Sequence, residues 1–187
     1  MRIIAGKFKS KKIIQPLDKA TRPLKDITKE SIFNIILHSK SVRVNLENAN
    51  ILDVFSGSGS FGLECISRGA KNVVFCENYE PAINVLKKNI KNFDCLNNTE
   101  IIIQDIFKIL IEENKINKKF NIIFLDPPFK EKKIYELLDL IGKANILEKN
   151  GVIIIHRNKN DKDIFPDYFK IEIERSYGLS KVFFLKI

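Results

Sequence analysis

Asp53-Val54-Phe55-Ser56-Gly57-Ser58-Gly59-Ser60-Phe61-Gly62 lies where a short apolar run, Ile51 to Phe55, meets a segment of helical character. Gly57, Gly59 and Gly62 form a G-x-G-x-x-G pattern at that junction. Glycines there permit a tight turn and let a nucleotide lie against bare backbone. Glu77 comes 20 positions after Gly57, at the end of the next apolar run, where its carboxylate can accept hydrogen bonds from both ribose hydroxyls. Glycine pattern, context and acid together predict a nucleotide-type cofactor.

Outward from this turn, apolar runs alternate with helical segments. The runs are Ile51 to Phe55, Val73 to Cys76, Ile101 to Ile103, Ile122 to Leu125 and Val152 to Ile155, apolar on both faces as in a sheet covered by helices on each side. Helices are expected near Ser60 to Arg68, Pro81 to Asn92, Ile106 to Glu113 and Glu131 to Lys143. A βαβ series of this kind predicts a doubly wound, mostly parallel α/β sheet. Tyr168 to Glu174 and Val182 to Ile187, flanking Ser176-Tyr177-Gly178, read as a closing antiparallel hairpin. At the other end, Arg2-Ile3-Ile4 and Lys12-Ile13-Ile14 predict a small β-hairpin with a basic tip. Residues 1–25 are then an arm and linker, and 26–187 the main domain, opening with a helix from about Asp26 to His38.

The fourth apolar run ends in Asp126-Pro127-Pro128-Phe129. Two prolines remove two backbone donors and fix two φ angles, so an acid, a carbonyl and an aromatic ring are held at the mouth of a strand. Such a group suits a flat amino group, gripped by hydrogen bonds and ring stacking. Gly57 and Glu77 fit a dinucleotide and S-adenosylmethionine equally. Asp53 and Asp126 favour the second, because a carboxylate attracts its ammonium and sulfonium but repels a pyrophosphate. Asp105, after the third run, fits either an adenine amino contact or an ordinary helix N-cap.

Of 32 basic and 23 acidic residues, nine and two fall in residues 1–29, leaving 23 against 21 for the rest of the chain. A basic arm on a nearly neutral body suits capture of a polyanion by its phosphates. Cys65, Cys76 and Cys95 are odd in number and set in apolar runs, which argues for buried thiols and against a disulfide framework or a metal site. Without a secretory h-region or a membrane-length apolar stretch, a cytoplasmic protein is expected. His156 and His38 read as structural, since neither accompanies a nucleophile or metal partners.

In this order the motifs resemble those of the class I S-adenosylmethionine-dependent methyltransferases, specifically the RsmD-like 16S rRNA (guanine-N2)-methyltransferase family. The likeness runs over Arg2-Ile3-Ile4-Ala5-Gly6, Arg22-Pro23 through Lys29-Glu30 to Phe33-Asn34, the glycine turn into Gly62-Leu63-Glu64, Glu77 and Asp126 to Phe129. Leu24, Lys25, Lys29 and His156 depart from the family's usual pattern, His156 standing where an acid is commoner. The resemblance implies a seven-stranded Rossmann-like methyltransferase sheet and methylation of a guanine N2 amine in 16S rRNA, met within a small-subunit ribosomal particle. A monomer is expected.

The resemblance also implies Gly57 and Gly59 against the cofactor, Glu77 at the ribose, Asp105 at the adenine and Asp126 to Phe129 at the base. The full expected cofactor set is Asp53, Phe55, Gly57, Gly59, Glu77, Asn78, Asp105 and Asp126. Catalysis is expected from Asp126, Pro127 and Phe129. Substrate contacts are expected from Arg2, Lys7, Lys9, Lys11, Lys12, Arg22, Pro128 and Phe129. Alternatives are an adenine-N6 methyltransferase and, from another class, an NAD-dependent oxidoreductase.

Overall fold

Ile51, Leu52 and Val54 have no solvent exposure because β1 (Asn50–Val54) runs through the centre of the sheet, between β2 (Asn72–Cys76) and β4 (Phe120–Leu125). The structure, a computed structural model, describes residues 1–17, 23–112, 116–128 and 130–187. With β3 (Thr99–Ile102), β5 (Leu147–Asn158), β6 (Lys170–Tyr177) and β7 (Ser180–Lys186), the sheet has seven strands in the order β3-β2-β1-β4-β5-β7-β6. Strands β1 to β5 are parallel, and β7 is antiparallel to both neighbours.

Two apolar clusters cover the two faces. One contains Ile32 and Phe33 of α1 (Asp26–His38), Phe61 and Leu63 of α2 (Ser60–Ser67) and Leu86 of α3 (Glu80–Asn92). The other contains Ile106 and Ile109 of α4 (Ile106–Ile111) and Leu137 and Leu138 of α5 (Ile134–Ala144). All three cysteines are free and buried. Burial pushes the Cys76 thiol up to about 12 and the Cys95 thiol to about 11. No helix among the described residues is long and apolar enough to cross a membrane.

One expectation is corrected. Helix α5 begins at Ile134 rather than Glu131, because Glu131 first closes a turn by donating its N–H to the Pro128 carbonyl, and its side chain accepts from Lys133 N–H. The expected N-terminal hairpin is present and short: Arg2 bridges Lys12 in antiparallel fashion, with Ile3 N–H donating to the Lys11 carbonyl and Ile13 N–H to the Met1 carbonyl on either side. Outside that bridge the body takes several of the arm's backbone donors. Glu64 accepts from Ile4 and Ala5, the Ser67 hydroxyl from Phe8, and Asn89 Oδ1 from Ile14. The arm therefore lies flat on α2 and α3, with Ile3 and Ile13 buried. Gly6, at φ +81°, sits so close that a Cβ would reach 1.8 Å from the Ser67 carbonyl oxygen.

Candidate active site

Parallel register brings the chemistry into one row. Val54 pairs with Cys76 and Leu125, Cys76 with Ile102, and Leu125 with Ile155. One residue further along each strand lie Ile103, Glu77, Phe55, Asp126 and His156, side by side at the carboxyl edge of the sheet. The order reverses between β1 and β4, so this edge opens into the crevice where doubly wound folds hold ligands.

The glycine turn is shaped from below and from the side. Asp53, 1% exposed, accepts the Gly62 N–H at 2.9 Å and thereby ties β1 to α2. Its burial, with Asp126 and Glu77 nearby, holds the carboxyl well above the usual carboxylate range. Gly57 and Gly59 both have positive φ, and so does Phe55 at +56°, a costly conformation for an aromatic residue. A Cβ on Gly59 would meet Leu86 at 2.4 Å and one on Gly62 would meet the Phe75 ring at 2.4 Å, whereas one on Gly57 would meet nothing within 4 Å. Two of the glycines serve packing. The third borders open space.

Glu77 faces that space. Its Oε2 accepts the Gly57 N–H at 2.8 Å, and its Oε1 accepts the N–H groups of Asn78 and Tyr79 at 2.9 Å each. A carboxylate offers about four acceptor positions, so three backbone donors leave one for a ligand hydroxyl. Asn78 is exposed and contributes its backbone. Asp105 caps α4 by accepting the Phe107 N–H, the second of its two expected roles.

On β4, the Asp126 N–H donates to the Val54 carbonyl, carrying the ladder one step past Leu125 and setting the acid beside the glycine turn. Its Oδ1 lies 2.7 Å from His156 Nδ1. Pro127 is buried and Pro128 exposed. Phe129 and Arg22 lie outside the described residues.

The basic arm stands apart from the crevice but is joined to it. Gln15 donates to the Ser58 hydroxyl, and Asn89 donates to the carbonyls of both Ile14 and Ser58. Arg2, Lys7, Lys9, Lys11 and Lys12 are all exposed. Lys11 is also engaged, donating to the Asn92 carbonyl and standing 5.2 and 5.0 Å over the Phe8 and Phe93 rings.

His156, read from sequence as structural, stands beside Asp126, a place that depends on pairing between strands 30 residues apart. The sequence reading missed Glu64 as the anchor of the arm. A charged residue inside the apolar helix Ser60–Ser67 was the available signal for that role.

The family described as conserved hypothetical protein 95 matches residues 1–186. The chain belongs to this family. Ribosomal RNA small subunit methyltransferase D of Haemophilus influenzae is 30% identical over 179 residues, 96% of this chain and 90% of that one. The protein of the same name from Buchnera aphidicola subsp. Baizongia pistaciae is 35% identical over 167 residues, 89% of this chain and 81% of the other. A solved structure from Haemophilus influenzae, 30% identical, superposes with a TM-score of 0.77 over 98% of this chain and 96% of its own. The family is thus the RsmD-like one that the motifs resemble, and its seven-stranded sheet with a reversed final strand is the fold observed.

Proposed function

We propose that this protein transfers a methyl group from S-adenosylmethionine to the exocyclic N2 amine of a guanine in 16S rRNA, met within a small-subunit ribosomal particle by a monomeric protein. The observation that carries this reading is the position of Asp126, one ladder step beyond Leu125 and two strand spacings from Glu77, about 10 Å. The names of the Haemophilus and Buchnera relatives support an rRNA substrate.

The residues present fit the cofactor. Open space beside Gly57, the remaining acceptor position on Glu77 and the Asp126 carboxylate suit a ribose and a cationic amino-acid portion. Gly57, Gly59, Glu77 and Asn78 would hold it, with Phe55 and Asp105 at its margins and Asp53 bracing the turn from beneath. Bound there, S-adenosylmethionine supplies an electrophilic methyl group.

The chain's own task is alignment. The lone pair of guanine N2 is delocalised into the ring, so the amine is a poor nucleophile. The Asp126 carboxylate and the Pro127 carbonyl accept its two N–H groups and Phe129 stacks on the ring, which localises and aims the pair. The base must leave its stack at a cost of a few kcal/mol, which favours a loop or exposed strand as target. In this reading residues 1–25 capture RNA phosphates through Arg2, Lys7, Lys9, Lys11, Lys12 and Arg22, and residues 26–187 perform the transfer.

The test is incubation with labelled S-adenosylmethionine and small-subunit rRNA or particles, followed by nucleoside mass mapping. N2-methylguanosine is expected, and Asp126→Ala should abolish it. N6-methyladenosine as the product would establish the adenine alternative instead.

A further inference from the structure

His156 is buried at the carboxyl end of β5, with 4% of its side chain exposed, and its Nδ1 lies 2.7 Å from Oδ1 of Asp126, whose side chain is 19% exposed. An ionised carboxylate only accepts hydrogen bonds, so Nδ1 carries the proton and donates it to Oδ1. The Asp126 backbone is already pinned by its N–H on Val54, but the terminal torsion of an aspartate is soft and roughly two-fold. A single charge-assisted bond from a rigid neighbour removes that freedom. His156 is such a neighbour. Its strand pairs with β4 through Leu125 and Ile155, and with β7 through His156 and Val182.

We infer that His156 is a positioning residue for methyl transfer: by occupying Oδ1 it fixes the plane of the Asp126 carboxylate, so that Oδ2 receives one N–H of the target amine. The inference rests on the reading of Asp126 given above. It differs from a packing role for the imidazole in one respect: what matters is a donor at the Nδ1 position, not the ring. A donor held on a strand of the sheet is also more exact than one on a loop, as alignment within fractions of an ångström requires.

The experiment compares wild type with His156→Leu and His156→Asn on small-subunit rRNA. Asn can place its amide N–H near the Nδ1 position but fills less space than Leu. Expected for His156→Leu is a kcat lower by about ten- to a hundredfold, the scale of a misaligned reacting group, with KM for RNA and calorimetric affinity for S-adenosylmethionine little changed. His156→Asn should recover most of the lost rate. An unchanged kcat in His156→Leu overturns the inference, as does a His156→Asn variant as slow as the leucine one. If the leucine variant does not fold, the asparagine variant decides, since near-wild-type turnover then requires only the donor. A nitrogen-15 spectrum of the imidazole gives an answer without turnover: Nδ1 should carry a hydrogen-bonded proton that shifts in Asp126→Ala, and an unprotonated Nδ1 refutes the pairing. Inactivity of the wild type on rRNA would instead overturn the proposed function itself.

Discussion

Glu77 Oε2 accepts the Gly57 N–H at 2.8 Å, joining the end of β2 to the glycine turn after β1 before any ligand arrives. Because Oε1 is held by Asn78 and Tyr79, the carboxylate is already oriented, and little ordering remains for binding to supply. Glu77→Ala should weaken S-adenosylmethionine binding by about 1–3 kcal/mol, through a lost acceptor and a loosened turn. Glu77→Gln keeps one acceptor oxygen and should fall between. Titration calorimetry reads both, and equal affinities across the three proteins would remove Glu77 from the site.

The glycines separate into binding and packing positions. Gly62→Ala drives a methyl to 2.4 Å from the Phe75 ring and 2.7 Å from Val73, an overpacking that should cost about 1–3 kcal/mol of stability. Gly57→Ala meets no protein atom but occupies the open space beside the turn. It should lower cofactor affinity more than the strain of φ +54° lowers stability, roughly 1–2 kcal/mol. Melting curves and calorimetry on the pair should show opposite rankings. A Gly57→Ala protein with wild-type affinity would mean that the space is not used.

Asp53 predicts a pH dependence of stability. Its folded-state pKa lies well above the ordinary value, chiefly through burial. As pH rises past the ordinary carboxylate range, the unfolded chain releases this proton while the folded chain keeps it, so folding loses stability until the raised value is passed. Asp53→Asn has no such titration and retains an oxygen for the Gly62 N–H. Its stability relative to wild type should therefore rise as pH increases from the ordinary carboxylate range toward neutrality, measured by urea unfolding. A constant difference would mean that Asp53 ionises normally.

Among the described residues Glu64 is the least exposed acid and the one with most to hold. It accepts from Ile4, Ala5 and Arg68 and lies 3.7 Å from the buried Lys29 ammonium, which in turn donates to the Arg2 carbonyl. Burial lowers the Lys29 pKa, and Glu64 opposes that shift. Glu64→Ala strands a buried cation and frees two arm donors, so a loss of about 3–5 kcal/mol is expected. Faster tryptic cleavage after Lys7, Lys9 or Lys12 should accompany it. An arm as resistant as in wild type would show that Asn89 and Ser67 suffice.

What the sequence disclosed follows the range of its signals. The run Ile51 to Phe55 and its glycines are local, and β1, the turn and α2 lie where they were expected, as does α1 at Asp26–His38. Apolar content on both faces marked the parallel strands, because covering helices leave no polar face. The arm reads as a hairpin because Arg2-Ile3-Ile4 and Lys12-Ile13-Ile14 flank Gly6 and a run of lysines. Nothing within fifteen residues announces that Glu64, Ser67 and Asn89 take its donors. The same holds for His156: its partner is set by β4–β5 register, which no local pattern carries.

The lysines of the arm divide by what they touch, and that division is testable. Lys9 and Lys12 are exposed, while Lys11 caps the end of α3 at the Asn92 carbonyl and lies over Phe8 and Phe93. Lys9→Glu with Lys12→Glu should leave the melting temperature unchanged and reduce the salt dependence of RNA binding by about one unit of slope per lost phosphate contact. Lys11→Glu should lower both stability and RNA affinity, because it removes a cation from two rings and a donor from a helix end. If the double reversal leaves the slope as it was, the arm's charge is solvated surface and RNA is captured elsewhere. If Lys11→Glu melts like wild type, its contacts with Asn92 and Phe93 contribute nothing to holding the arm.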